Sequence, residues 1–370
     1  MTIGIIGLGA MGLGIAQVFA EAGHQVRTTD AMEGARASAR ARMAALLAPR
    51  VAKGAMTETE RDVVLGRLIM VERITDIAPA DLVIEAVAER LDVKQAVFRA
   101  LEPVLSPDAI LATNTSSLSV AAIAKGLVRP GQVLGLHFFN PAPVMKLVEL
   151  VAHSDTSPAA LAGARTLAEG AGKVVIACPD RPGFIVNRCA RPYYGEALAL
   201  LEEGRTAAEI DAAMVAADYR LGPFGLIDLI GADINLAATE SLSAAMGGHP
   251  RYHVFAALRA QVEKGDLGRK TGRGFVHPSD PVAPPVDAEA IALRIESALA
   301  NEAAWLLSEG GATSEGIDTA MKLGLNFPRG PFEDRARHGA QLVRRTLAAL
   351  EAAAPPHLKT RYLPAPEPNP

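Results

Sequence analysis

Through its first half the chain alternates short β-branched apolar runs with Ala-rich stretches of helix length. Ile3–Ile6, Gln25–Thr29, Leu82–Val87, Ile110–Thr113, Val133–Phe138 and Val174–Ala177 read as strands. Most are continuously apolar, as expected of strands covered by helices on both faces. Such alternation predicts a parallel, doubly wound sheet. After the second strand comes a longer helical excursion, Glu33–Lys53, carrying Arg36, Arg40, Arg42 and Arg50, and then Thr57 as the cap of a second short helix. At Cys178-Pro179-Asp180-Arg181-Pro182-Gly183 two prolines and a glycine punctuate the chain. Beyond them strand signals mostly vanish and helices dominate.

The helical half echoes itself. Glu203-Gly204 and Ile210-Asp211-Ala212-Ala213-Met214 recur as Glu309-Gly310 and Ile317-Asp318-Thr319-Ala320-Met321, and Gly222-Pro223-Phe224 recurs as Gly330-Pro331-Phe332. One helical unit, duplicated, accounts for this. The expected class is therefore α/β plus all-α, with a duplicated unit inside the helical part. The expected domains are 1–180, 181–283 and a degenerate second unit 284–354. A Pro-rich stretch, 355–370, reads as a loose tail.

Composition narrows the classes. Over 370 residues the net charge is −4, which gives no reason to propose nucleic-acid binding or a polybasic membrane surface. Apolar residues at 49% and charged residues at 21% place the chain among globular proteins of two or three domains. No window reads as a membrane span. The two isolated cysteines, Cys178 and Cys189, fit a reducing, cytoplasmic setting better than a disulfide framework, and no cluster has the spacing of a metal site.

Gly7-Leu8-Gly9-Ala10-Met11-Gly12 directly follows the first strand and opens a helix. In that context the pattern is a Rossmann-type dinucleotide signature: the glycines allow a tight turn and close backbone approach, and the helix N-terminus faces a pyrophosphate. Asp30 closes the second strand, where an acid would hydrogen-bond a ribose 2′-hydroxyl and repel a 2′-phosphate, so NAD is expected over NADP. Asp30 could equally be a helix cap.

Two further strand ends carry polar residues. Asn114-Thr115-Ser116-Ser117 follows Ile110–Thr113, where a doubly wound sheet presents its ligand crevice; Ser117 reads as an ordinary helix cap. His137 sits near the end of Val133–Phe138 and could serve as a general base. Glu149 lies in the apolar strand Leu147–Val151, and a carboxylate there needs a partner. A His137–Glu149 pair would fix the imidazole tautomer and stabilise the imidazolium.

His137-Phe138-Phe139-Asn140-Pro141-Ala142-Pro143-Val144-Met145-Lys146-Leu147-Val148-Glu149 resembles the signature of the L-3-hydroxyacyl-CoA dehydrogenases. So do Asn114-Thr115-Ser116-Ser117-Leu118, Pro182-Gly183-Phe184-Ile185-Val186-Asn187-Arg188 and Leu267-Gly268-Arg269-Lys270-Thr271-Gly272-Arg273-Gly274-Phe275. The resemblance implies NAD-dependent oxidation of an acyl-CoA substrate such as 3-hydroxybutyryl-CoA. In it His137 matches the base, Glu149 its orienting partner, and Ser116 and Asn187 the holders of the substrate oxygen. Glu89, Lys94, Asn114 and Lys270 match cofactor positions, and Lys53 and Asn140 match substrate positions. For Glu89 and Lys94 the bland alternative is a pair of solvated helix-end charges; Lys53 reads alone as a surface charge. The resemblance also leaves room for a 3-hydroxyadipyl-CoA-type enzyme of aromatic-acid catabolism or a gulonate dehydrogenase/lambda-crystallin-like protein. The expected assembly is a homodimer, with an intramolecular pseudo-dimer of the two copies as the alternative. In the echo Arg188 aligns with Arg294, Glu196 with Glu302 and Asn187 with Leu293, so the second copy lacks the active-site asparagine.

Overall fold

The computed structural model describes residues 1–366 and divides into two compact units, one ending at Arg181 and the other starting at Pro182. The first unit holds a single eight-stranded sheet: β1 (Thr2–Ile6), β2 (Gln25–Thr29), β3 (Leu68–Met70), β4 (Leu82–Glu85), β5 (Ile110–Thr113), β6 (Val133–Phe138), β7 (Leu147–Ala152) and β8 (Val174–Pro179), in the order β3-β2-β1-β4-β5-β6-β7-β8. Its helices are α1 (Ala10–Glu21), α2 (Glu33–Ala52), α3 (Glu58–Gly66), α4 (Leu91–Leu101), α5 (Val120–Ala124) and α6 (Pro158–Gly170).

The apolar runs become central strands: Ile3, Ile5, Leu82, Ile84, Ala112, Leu134 and Leu136 are fully enclosed. The chain runs outward from β1 to β3 and returns at β4 beside β1, so strand order reverses between those two. That reversal opens the crevice at the carboxyl ends of β1 and β4 where doubly wound sheets take ligands.

The expectation of a wholly parallel sheet is corrected at β7, which pairs antiparallel with β6. Only residues 139–146 join the two strands, too few for the dozen or more a parallel crossover needs. The strand β3 went unpredicted because its three residues are too few to show a period. Thr57 does cap α3, in a reciprocal capping box with Glu60. Ser117 does not cap a helix: Ser119 caps α5, and Ser117 donates to Glu89.

The second unit is helical: α7 (Val186–Cys189), α8 (Arg191–Glu202), α9 (Ala207–Ala216), α10 (Pro223–Ile230), α11 (Ala232–Ala245), α12 (Ala256–Glu263), α13 (Ala288–Ser308), α14 (Ser314–Leu325), α15 (Pro331–His338) and α16 (Ala340–Ala353). The echo is structural. Asp211 accepts backbone N–H groups from Phe224 and Gly225 at the start of α10, and Asp318 accepts those of Phe332 and Glu333 at the start of α15. Each carboxylate satisfies orphan donors of a helix that opens with Gly-Pro.

The loose tail is also corrected. Arg361 and Tyr362 are each 4% exposed and both bond Glu196. Proline stops regular structure but does not stop docking; here a buried acid recruits a guanidinium and a phenol. Residues 367–370 of the expected tail lie outside the described residues.

Candidate active site

The loop after β1 is built for close backbone approach. Gly7 has φ +95°, and a Cβ on it would lie 2.5 Å from the carbonyl oxygen of Ala86, in the loop after β4. A Cβ on Gly12 would meet the Gly7 carbonyl oxygen. Gly9 differs: a Cβ there would touch nothing within 4 Å, so the surface over the start of α1 is open. Neither a side-chain cap nor an acidic residue occupies the first turn of α1, Ala10-Met11-Gly12. Its amides and the helix dipole are left for an anion. Asp30 accepts the Leu8 amide at 2.6 Å and the Met32 amide at 2.8 Å, and a carboxylate has further lone pairs to offer a ribose. These residues fit a dinucleotide.

The ends of β4 and β5 are joined by a buried charge network. Lys94 on α4 is 1% exposed and donates at 2.7 Å to Glu85, itself fully buried at the end of β4. Its ammonium also lies 3.2 Å from Glu89. Thr113 donates to Glu85, and Thr115 and the Ser116 amide donate to Glu89. Burial pushes the Glu89 carboxyl up, but the Thr115 hydroxyl, the Lys94 charge and the Ser116 amide together hold it below the usual carboxylate range. Lys94 is thus not a solvated helix-end charge, and Glu89, though exposed, is held by Thr115 and the Ser116 amide; together they fix the loop that carries Asn114 and Ser116. Asn114 in turn accepts the Phe138 amide at 2.8 Å, tying that loop to the end of β6.

The antiparallel register sets His137 opposite Glu149. Directly opposed residues share a face, and His137 Nδ1 lies 2.6 Å from Glu149 Oε2, with His137 at 6% and Glu149 at 0% exposure. The turn between them is held by Lys173, whose buried ammonium donates to the carbonyls of Ala142 and Met145. Burial lowers the pKa of Lys173. Asp180, at the end of the first unit, accepts from Ser119 and from the Val120 and Ala121 amides, anchoring α5.

Glu85, Lys173 and Asp180 went unnoticed in the sequence. Glu85 had a signal, the same one that marks Glu149: a lone carboxylate in an apolar strand. Lys173 and Asp180 had none, since charged residues at strand ends are ordinary. Other expected positions stand apart from these clusters. Lys53 is exposed just past α2, and Asn140 is exposed on the β6–β7 turn. Asn187 and Lys270 belong to the second unit. Asn187 lies on α7, half-buried, and Lys270 forms an ion pair with Asp233. Among the described residues no group of three or more His, Cys, Asp or Glu is placed to hold a metal. No helix among them is long and apolar enough to cross a membrane.

A sheet of this order, with a glycine loop fitted to a dinucleotide and a buried His–Glu pair, defines a nucleotide-dependent dehydrogenase. Residues 2–181 match the family description 3-hydroxyacyl-CoA dehydrogenase, NAD binding domain, and residues 183–277 and 291–366 match its C-terminal domain. The chain belongs to the 3-hydroxyacyl-CoA dehydrogenase family, and its cofactor is NAD. It is 46% identical over 275 residues to 3-hydroxyadipyl-CoA dehydrogenase of Escherichia coli K12, covering 74% of this chain but only 58% of that protein. To 3-hydroxybutyryl-CoA dehydrogenase of Mycobacterium tuberculosis it is 41% identical over 278 residues, 74% of this chain and 96% of that one. The crystal structure of 3-hydroxybutyryl-CoA dehydrogenase from E. coli K12 superposes with a TM-score of 0.91 at 34% identity, covering 99% of this chain and 96% of the other. That superposition takes in both helical copies.

Proposed function

We propose that the chain catalyses reversible, NAD-dependent oxidation of an L-3-hydroxyacyl-CoA thioester to the 3-oxoacyl-CoA. The observation that carries this is the buried His137–Glu149 pair, set beside a loop that places Ser116. His137 Nδ1 donates to Glu149, which leaves Nε2 as the basic nitrogen. It takes the proton of the C3 hydroxyl while the C3 hydrogen leaves with its electron pair and the oxygen lone pair becomes the new carbonyl bond. Glu149 stabilises the imidazolium formed. Bound NAD supplies the acceptor for that hydride. Its pyrophosphate is assigned to the Gly7–Gly12 loop with Ala10 and Met11, its ribose to Asp30, and its nicotinamide half to Glu89, Lys94 and Asn114, with Lys270 as a further contact. Ser116 and Asn187 hold the substrate oxygen, and Lys53 and Asn140 are assigned to the CoA thioester. The two relatives above are named for different acyl groups; both are 3-hydroxyacyl-CoA thioesters, and that shared class is the one proposed.

The assembly proposed is an intramolecular pseudo-dimer of the two helical copies in a reducing, cytoplasmic setting. Light scattering giving a single species at the chain mass of 38.7 kDa supports it, and a doubled mass overturns it.

The direct test follows NADH absorbance with acetoacetyl-CoA. Wild type turns over, and His137→Ala loses at least about 10²-fold in kcat while still binding NADH, as expected for a general base. An active His137→Ala variant removes His137 from the chemistry. Absence of turnover in wild type with NADH bound, with acetoacetyl-CoA and with 3-oxoadipyl-CoA alike, removes the substrate class.

A further inference from the structure

Two arginines follow Asn187 closely, and they have opposite surroundings. Arg188 is fully buried and satisfied by acids: its Nε donates to Glu302 and its two terminal nitrogens donate to Glu309, each at 2.7 Å. Arg191, on the next turn, is 8% exposed and has no acid within ion-pair reach among the described residues. Its Nε donates to the Asn187 carbonyl at 3.0 Å and its Nη1 to the Thr239 hydroxyl at 2.9 Å. The guanidinium lies over the Tyr194 ring, 4.9 Å from its centroid. Burial lifts the Tyr194 phenol to about 12 against the opposing pull of Arg191, so that ring is neutral and brings no negative charge.

A guanidinium offers five donors, and this one spends two on neutral oxygens. A buried cation without a counter-charge is costly, and an arriving anion would relieve that cost. A second buried group beside it is also unspent. Asn235, one turn before Thr239 on α11, is 3% exposed, and its enclosed Oδ1 has no hydrogen-bond partner. The two are linked through Thr239, whose hydroxyl donates to the Asn235 carbonyl while accepting from Arg191. A half-turn of the Asn235 amide would present its NH₂ in place of that oxygen.

We infer that Arg191, with Asn235, is the specificity-determining site for a second carboxylate on the substrate, so that the preferred substrates are 3-hydroxyacyl-CoA thioesters of dicarboxylic acids. The inference rests on the function proposed above, in which Asn187 holds the C3 oxygen. Side chains on a helix lean toward its N-terminus, which carries Arg191 back over Asn187. In a six-carbon dicarboxylic chain the distal carboxyl carbon is three bonds beyond C3, a short reach from a group that holds the C3 oxygen. A guanidinium matches a carboxylate in a bidentate fork, and an acyl chain that lacks the carboxylate leaves the buried cation uncompensated.

The experiment compares kcat/KM for 3-hydroxyadipyl-CoA and 3-hydroxyhexanoyl-CoA, equal in carbon count, in wild type, Arg191→Met and Asn235→Leu, each checked for a cooperative thermal melt. Wild type is expected to favour the dicarboxylic thioester by about tenfold or more, the scale of a charge-assisted contact. In Arg191→Met the ratio collapses to near one, and in Asn235→Leu it falls part-way. Because the readout is a ratio, any general loss from freeing the Asn187 carbonyl cancels. Equal wild-type values overturn the inference whatever the variants do. An Arg191→Met variant that slows both substrates by one factor overturns it too, and makes Arg191 a positioning residue for Asn187. If wild type turns over neither thioester, the dehydrogenase reading itself has failed; turnover without preference sinks only the carboxylate site.

Discussion

The two helical copies agree where they touch each other and disagree where the first carries Asn187. Arg188 donates to Glu302 and Glu309; its counterpart Arg294 donates to Glu196 and Glu203. Tyr252 donates to Glu302 at 2.5 Å, and Tyr362 donates to Glu196 at 2.9 Å. Arg251 lies 3.0 Å from Glu302, and Arg361 lies 2.8 Å from Glu196. Each contact is returned with the copies exchanged, which is the rule for an isologous two-fold interface, here made within one chain. Elsewhere the copies diverge. Asn187 becomes Leu293, Ala190 becomes Glu296, and Leu221, Leu226, Leu229 and Ile230 become Arg329, Asp334, Arg337 and His338. The new charges meet each other: Glu296, fully buried at its side chain, takes Arg337 and His338, and Asp334 takes Arg329. Burial and the Asp334 charge raise the Glu296 pKa against the pull of His338 and Arg337. The pairing is common to both copies, while the second carries a self-satisfied ion cluster where the first carries an apolar surface and an amide.

The largest effect that can break this comparison comes from the reciprocal arginines. Removing one partner of a buried pair costs about 3–5 kcal/mol, because the acids are left uncompensated. Arg188→Met and Arg294→Met should therefore each lower the unfolding free energy by about that amount in urea titrations. They part company in activity: Arg188 adjoins Asn187 and its loss also lowers kcat, whereas Arg294→Met changes stability alone. Unequal destabilisation would mean that the two-fold is geometric but not energetic.

Next in size is the amide itself. Asn187→Ala removes the proposed donor to the substrate oxygen and should cost about 10²–10³-fold in kcat, the usual scale for such a donor. The matching Leu293→Ala should leave kcat unchanged, and Leu293→Asn should add no activity, since His137 and Glu149 belong to the sheet unit, which is not duplicated. A gain from Leu293→Asn would show that the second copy keeps latent chemistry.

How much of this was legible follows the same division. Apolar strands, the glycine loop and the His137–Glu149 pair could be read from residue order, because each rests on local pattern or on one unexplained charge. The echo of Arg with Arg and Glu with Glu was legible too. What could not be read was that the two-fold exchanges them, so that each arginine meets the other copy's acid. The burial of Lys94 was not legible, because only β4 and β5 together enclose it with Glu85. The tail looked loose because its echo of Arg251-Tyr252 is two residues long, Arg361-Tyr362, and prolines drowned it. Burial decided each of these cases, and burial is a property of the assembled chain.

The smallest effect sharpens the comparison through pH. Burial pushes the Glu196 carboxyl up, but Arg361 and Arg294 outweigh it and hold it below the usual carboxylate range. A folded-state value below the unfolded one means that the unfolded chain binds the proton more readily. The stability Glu196 contributes is therefore complete above the ordinary carboxylate value, about 4.3, and is lost as pH falls from there through the folded value. Glu196→Gln should melt below wild type at pH 7, and the gap in Tm should narrow as the pH is taken from 5 toward 3. Wild type loses in acid what the variant has already lost. A gap that stays constant over that range would mean that Glu196 stabilises the interface through hydrogen bonds that survive protonation, and that charge is not what holds the two copies together.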